Sequence, residues 1–196
     1  MNNFKAYTLN VKYGEQCVGS LVLNQNTNLL NLHYAPHWQM QGFAISPALP
    51  LNNQHSAEAA YNYLDNALPE GEARKLLAQN LGISEKNIYS QVRALGNDLA
   101  GALTFCDDAV EQEKNTPILR VLEEPELIAR LECKDELGLI TWDEKPRLSV
   151  AGVQDKLNLF VDPKGHFGFG DGSLCSTHIV KFEKTNCLNL VINEYF

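Results

Sequence analysis

Hydrophobic and polar residues alternate with a period of two through the first part of the chain. The alternation runs through residues 6–11, 18–23 and 29–34, and it places the apolar side chains of each strand on one face. Glycine and asparagine residues at 13–15 and 24–28 favour turns between these segments. The pattern therefore predicts an antiparallel β-meander with one buried face.

From residue 56 the spacing of apolar residues becomes that of a helix. Apolar residues recur at three- and four-residue steps, with a break around residues 68–71: Tyr61, Leu64 and Leu68 come first, then Ala73, Leu76 and Leu77. A further helix is expected to open near Lys86 with Ser84 as its N-cap. A short strand near Leu103 should close this first unit.

The two helices between residues 70 and 95 also resemble a helix-turn-helix, in which a second helix reads DNA. This second helix offers only Lys86 and Arg93 as cations. The formal net charge of −8 is opposite in sign to that of a general nucleic-acid binder. We therefore expect the helices to pack against the fold and the chain not to bind nucleic acid directly.

The bulk composition is that of an ordinary globular protein, with 44% hydrophobic and 20% charged residues. No apolar run approaches the roughly 18 residues that a membrane span needs. The five cysteines form no C-x-x-C pair, and no signal-peptide pattern is visible, so we expect reduced thiols and a cytoplasmic location. The histidines lack metal-ligand spacing, and we expect no metal site in the chain.

Acidic residues are concentrated between 107 and 145, as is typical of a connecting segment with a solvated face. A short helix is expected within it at residues 127–131. Further on, Gly165, Gly168, Gly170 and Gly172 alternate with aromatic residues. They lack the strand–loop–helix context of a dinucleotide-binding loop, so we interpret them as a turn in an antiparallel sheet.

Three segments in the last third suggest nucleotide chemistry. Gly152 lies in a loop whose backbone N–H groups could approach phosphate oxygens closely, with Lys156 at its end. Lys181 ends a short apolar strand, and Glu194 opens a predicted helix where it could pair with Lys181. Each residue alone has an ordinary structural explanation, but their order is that of the ATP-binding parts of a protein kinase.

These segments resemble the HipA family of bacterial toxin serine/threonine kinases. Residues 149–156 (SVAGVQDK) are similar to its phosphate loop, 176–181 (STHIVK) to its lysine strand and 193–194 to the following helix start; 68–74 and 95–103 resemble its N-terminal subdomain. Asp155 stands where the family commonly has glutamate, and Ser176 where it has threonine. The resemblance implies that ATP is lined by the following residues: Ala151, Gly152, Val153, Gln154, Asp155, Lys156 and Lys181. Ser149 would be the autophosphorylation site, and its phosphorylation is expected to weaken ATP binding.

The implied fold is α+β: a β-meander with helices at 1–106, the connecting segment at 107–145, and the antiparallel-sheet small lobe of a kinase-like domain at 146–196. The implied partners are a DNA-binding antitoxin of the HipB type and, as substrate, an aminoacyl-tRNA synthetase. ATP and Mg²⁺ would serve the complete kinase, whose catalytic base and metal ligands are not found in this sequence. We therefore expect the chain to be an N-terminal portion that is inactive alone. The alternative function is a non-catalytic binding module that contacts an antitoxin or a separate kinase chain.

Overall fold

The computed structural model describes residues 7–96, 99, 101–107, 117–132, 141–142, 145–146, 156–171, 174, 176–181 and 189. Within these residues the chain forms the following helices and strands: β1 Tyr7–Tyr13, β2 Gln16–Asn24, β3 Leu29–Tyr34, α1 Pro36–Gln41, α2 Ala57–Ala67, α3 Gly71–Leu81, α4 Ile88–Leu95, β4 Leu103–Cys106, β5 Ile118–Val121, α5 Glu124–Glu132, β6 Thr141–Trp142, β7 Lys145–Pro146, β8 Lys156–Val161, β9 Phe167–Asp171 and β10 His178–Lys181.

The chain divides into two compact units. The first comprises residues 1–68 and 83–113, and the second comprises residues 69–82 and 114–196. Helix α3 therefore groups with the second unit, although both flanking segments belong to the first. The domain boundaries expected from the sequence stay predictions.

The first unit contains an antiparallel sheet with the strand order β3-β2-β1-β4. Leu9, Leu21 and Leu32 lie opposite one another across three of its strands, and all three are at most 3% exposed. Helix α2 packs against β3 and α4, and α4 also packs against β4. This arrangement confirms the meander with one buried face.

The register of β1 and β2 shifts between Val11 and Lys12. Next to this bulge, a Cβ atom on Gly19 would lie 2.0 Å from the backbone carbonyl oxygen of His33. Glycine is therefore required here because the β3 backbone approaches so closely.

The segment after β3 is held by the side chain of Tyr34, which is 4% exposed. Its hydroxyl donates to the carbonyl of Leu49 at 2.7 Å and accepts from the backbone N–H of Ile45 at 3.0 Å. The backbone N–H of Tyr34 donates to the side-chain oxygen of Asn53 at 2.8 Å. These bonds attach residues 45–53 to the sheet.

The helix boundaries follow from local capping. Ser56 caps α2 by accepting from the backbone N–H of Ala59, and Gly82 ends α3 in the left-handed conformation at φ 63°. The predicted N-cap of α4 is wrong: the cap is Asn87, which accepts from Ser90 N–H. Ser84 instead accepts from the N–H of Lys86 within the preceding turn.

The second unit contains an antiparallel sheet with the strand order β10-β8-β9-β5. Its core consists of Leu122, Leu157, Leu159 and Phe169. Leu127 of α5 packs against this cluster, which confirms the predicted short helix in the acidic segment. Strand β5 was not predicted.

Strands β8 and β9 are joined by a tight turn at residues 162–165. The carboxylate of Asp162 accepts from the backbone N–H groups of Lys164 and His166 and contacts His166 Nδ1 at 2.9 Å. These hydrogen bonds, led by that of the imidazole, lower the pKa of Asp162. Gly165 supplies the positive φ of 87°. The predicted turn is therefore confirmed at Gly165, whereas Gly168 and Gly170 lie within strand β9, and Gly172 lies outside the described residues.

Two antiparallel sheets accompanied by helices confirm the α+β fold class. None of the helices among the described residues is long and apolar enough to span a membrane.

Candidate nucleotide-binding face

The pairing of β8 with β10 places two lysines side by side. Lys156, the first residue of β8, lies directly opposite Lys181, the last residue of β10. Directly opposed residues of an antiparallel pair have Cβ atoms about 4.5–5.5 Å apart and share one face of the sheet. The structure thus brings together two residues that are 25 positions apart in the sequence.

The two lysines lie on the face opposite to the hydrophobic core of the second unit. The next residues along the strands, Leu157 and Val180, form a pair whose side chains join the buried cluster. Because successive side chains point to opposite faces, Lys156 and Lys181 point away from that cluster. Lys181 is exposed and Lys156 is half-buried.

Two further residues continue this face, which we call the lysine face: Lys156, Asn158, Ile179 and Lys181. Asn158 lies opposite Ile179; Asn158 is 9% exposed, whereas Ile179 is 53% exposed. From one end to the other, the lysine face therefore presents two lysines and then the exposed aliphatic surface of Ile179, beside the largely buried amide of Asn158.

Glycine keeps the neighbouring strand of this face free of side chains. Gly168 of β9 lies opposite Phe160 of β8, and Phe160 is on the same side of its strand as Lys156. A Cβ atom on Gly168 would lie 2.1 Å from the backbone oxygen of Arg120. Glycine is required here by the close approach of β5.

The arrangement suits an anionic ligand with an apolar end. Two ammonium groups held by adjacent strands can bind the oxygens of a polyphosphate. A planar base could then lie against Ile179, about 7 Å farther along the strand at two residues' rise. The lysine face has amide and ammonium groups but no carboxylate, so it fits phosphate oxygens and not Mg²⁺, which prefers carboxylate ligands.

The structure describes only part of the predicted site. Lys156 and Lys181 are brought together, whereas the following residues lie outside the described residues: Ser149, Ala151, Gly152, Val153, Gln154, Asp155 and Glu194. Asn158 and Ile179 were not among the predicted site residues. Both could have been found by stepping two residues from each lysine along its strand.

The geometry of helix α4 bears on the alternative DNA-binding function. Five of its eight residues are buried: Ile88, Tyr89, Gln91, Val92 and Leu95. The side chain of Arg93 forms an ion pair with Asp107 at 2.6 Å. Most of this helix therefore packs into the core of the first unit. That the chain does not bind DNA stays a prediction.

Comparison with known proteins places these features in a family. The HipA N-terminal domain family matches residues 9–106. The serine/threonine-protein kinase toxin HipA of Shewanella oneidensis is 40% identical over 195 residues, which is 100% of this chain and 44% of that protein. A putative kinase, Y4mE, of Sinorhizobium fredii is 27% identical, over 88% of this chain and 42% of its own length.

The similarity extends to a solved structure. HipA in the Shewanella oneidensis MR-1 complex of HipA, HipB and operator DNA matches with a TM-score of 0.77 and 37% identity, over 95% of this chain and 43% of that chain. This chain thus spans less than half the length of the curated relatives that it matches. With the family match over half of the chain and 40% identity along all of it, the chain belongs to the HipA family.

Proposed function

We propose that this chain supplies the upper part of the ATP site in a HipA-type serine/threonine kinase. The observation that carries the proposal is the register that sets Lys156 opposite Lys181 on the face away from the core. In this proposal the two ammonium groups bind the phosphates of ATP, and Ile179 contacts the base. The rest of the proposed ATP-lining set is the loop 151–155.

The chain's contribution to phosphoryl transfer is positioning and charge neutralisation. Catalysis of this reaction depends on holding the γ-phosphate in line with the attacking hydroxyl and on stabilising the charge that develops on its oxygens. A lysine fixed at the end of a strand can do both without changing its own protonation. Mg²⁺ would be held by carboxylates elsewhere in a complete kinase.

The test is ATP binding by calorimetry, performed both on this chain and on the longest protein that its gene encodes. The substitution Lys181→Met keeps the length of the side chain and removes its charge. A charged hydrogen bond contributes about 1.5–3 kcal/mol, so the affinity should fall about 10- to 100-fold. Lys164→Met in the exposed β8–β9 turn is the matched control and should change nothing. Unaltered ATP affinity in Lys181→Met would contradict the proposal.

We also propose a HipB-type antitoxin as partner and an aminoacyl-tRNA synthetase as substrate. The first is supported by the 37%-identical relative, whose structure was solved with HipB and operator DNA; the second is supported by the family resemblance. Binding to the antitoxin without ATP binding would instead favour the non-catalytic module. Transfer of labelled phosphate to purified synthetases tests the substrate.

Ser149 remains our proposed autophosphorylation site. A phosphate there adds about −1.5 to −2 charges and three acceptor oxygens, which would compete with ATP for the loop N–H groups and for Lys181. Mass spectrometry of the full-length protein, followed by nucleotide titration of both forms, tests this switch. Equal ATP affinity of the phosphorylated and unmodified forms would rule it out.

A further inference from the structure

The first unit has an open groove along helix α2, away from its hydrophobic core. The groove has a volume of about 630 Å³, within the range of about 300–1,000 Å³ that is typical of ligand sites. We call it the α2 groove and define it by its lining residues: Ser46, Ala48, Ser56, Glu58, Ala59, Asn62, Tyr63, Asn66, Ala67 and Gly101.

Three polar side chains are spaced regularly along this groove. Glu58, Asn62 and Asn66 are four residues apart on α2, so they lie on one face of the helix with a rise of about 6 Å between neighbours. All three are exposed. Within the described part of the chain, none of these three side chains forms a hydrogen bond or an ion pair.

The two asparagines are unfavourable choices for the fold itself. Asparagine is among the poorer helix formers because its side chain competes for backbone hydrogen bonds. Other asparagines of this unit have clear structural roles: Asn87 caps α4, and Asn53 accepts a hydrogen bond from the backbone N–H of Tyr34. Asn62 lies in the middle of α2 and Asn66 in its last turn, both without such a role, so we look for their role in binding.

The spacing matches the repeat of an extended polypeptide. Same-facing residues of an extended strand recur every two residues, about 6.6 Å apart, close to the 6 Å between Asn62 and Asn66. A side-chain amide has both a donor and an acceptor, so each asparagine can pair with the N–H and C=O of one peptide residue. Main-chain hydrogen bonds of this kind supply affinity when an extended peptide binds to a protein.

The charge of the groove selects among ligands. Glu58 lies four residues before Asn62, at the start of α2, and none of the lining residues that the structure describes is cationic. A phosphate-bearing ligand would be repelled, whereas a lysine or arginine of a bound peptide could pair with the Glu58 carboxylate. We propose that the α2 groove binds an extended peptide segment, with Asn62 and Asn66 on its backbone and Glu58 on a cationic side chain.

This site is distinct from the proposed ATP site, because all residues of the groove belong to the first unit and the lysine face belongs to the second. The probe is a positional-scanning library of fluorescein-labelled, C-terminally amidated heptapeptides, titrated with the intact chain by fluorescence anisotropy. We expect lysine or arginine at one position to improve binding at least tenfold over glutamate. Proline, which lacks an N–H, should be rejected at two positions that are two residues apart.

Variants then assign the contacts. Asn62→Ala and Asn66→Ala should each weaken the best peptide at least tenfold, while Glu58→Lys should reverse the preference towards acidic residues. Asn26→Ala, at an exposed turn position outside the groove, is the matched control and should bind as the unmodified chain does. A flat library profile up to 1 mM, or unchanged binding in the two asparagine variants, would overturn the proposal.

Thermal unfolding distinguishes the loss of a ligand contact from a loss of stability. Alanine is a better helix former than asparagine, so both asparagine variants should melt at the same or a higher temperature than the unmodified chain. Weaker binding together with undiminished stability means that a ligand contact was lost. A lower melting temperature would show that the amides support the fold, and the proposal would be wrong.

Discussion

Removing one oxygen atom from Tyr34 should destabilise the first unit strongly. The substitution Tyr34→Phe keeps the ring, which is 4% exposed, and creates no cavity larger than a hydroxyl. It deletes the donor to the Leu49 carbonyl, at 2.7 Å, and the acceptor of the Ile45 N–H, at 3.0 Å. Residues 45–49 would then lose two of their bonds to the sheet.

The size of the effect follows from the burial of the two groups left behind. Leu49 is 1% exposed, so water cannot readily replace the lost donor, and an unsatisfied buried carbonyl costs about 1–3 kcal/mol. Ile45 is only half-buried, and water can partly satisfy its N–H; this loss costs about 0.5–1.5 kcal/mol. We expect a total of about 1.5–4.5 kcal/mol, a large share of the roughly 5–15 kcal/mol that typically stabilises a domain.

Urea denaturation followed by the fluorescence of Trp38, which is buried in the same unit, measures this free energy. Trp142→Phe serves as the common background, so that Trp38 is the reporter. The control is Tyr61→Phe, since Tyr61 is 38% exposed on α2 and its loss should change stability by less than about 0.5 kcal/mol. A Tyr34→Phe variant as stable as the Tyr61→Phe control would refute the reasoning, because the two hydroxyls would then be equivalent.

Three further outcomes are expected. Gln91 is fully buried, and its side-chain amide donates to two carbonyls of the preceding turn. Gln91→Leu should therefore lower the free energy of unfolding, measured in urea, by about 1–3 kcal/mol. Ser56→Ala should cost about 0.5–2 kcal/mol by removing the cap of α2, and Ser56→Asp should restore most of it. Burial raises the pKa values of Tyr34, Tyr63 and Tyr89, so the folded state favours the neutral phenols. Their contribution to the free energy of unfolding is complete below about pH 10, the pKa of the phenol in the unfolded chain. It is lost as pH rises through the raised pKa values of the folded state. The free energy of unfolding in urea, measured between pH 8 and 11, should decline in this way. Tyr63→Phe should make the free energy of unfolding depend less steeply on pH.

The sequence predicted the elements whose signals are local and periodic. The three strands of the meander alternate with a period of two over six or more residues, and all three were found. Helix α1 and strand β5 were missed, since they have six and four residues, too few to show a period. The cap of α4 was placed wrongly because Ser84 and Asn87 are both good N-cap residues, and only the packing of Ile88 and Tyr89 decides between them.

The candidate site was predicted in its residues but not in its geometry. Lysines at 156 and 181 could be chosen from their motifs, yet their direct opposition depends on the register of β8 and β10. That register is fixed by which residues enter the core: Leu157 and Leu159 must face Leu122 and Phe169. No periodicity within either strand contains this information, since it is set by the rest of the sheet.

Both candidate sites occur where the chain departs from what its local structure would favour. Two lysines directly opposite each other disfavour strand pairing by themselves. Asparagine is also a poor helix former, and α2 has one in its middle and another in its last turn. Sequences that fold well generally agree with their local structure, and departures without a structural benefit are expected at functional positions. The lysines in β8 and β10 lie in the two segments that resemble a kinase phosphate loop and lysine strand, and their role stays a proposal. The asparagines in α2 follow the same physical logic, and for that reason we regard the α2 groove as a second functional surface.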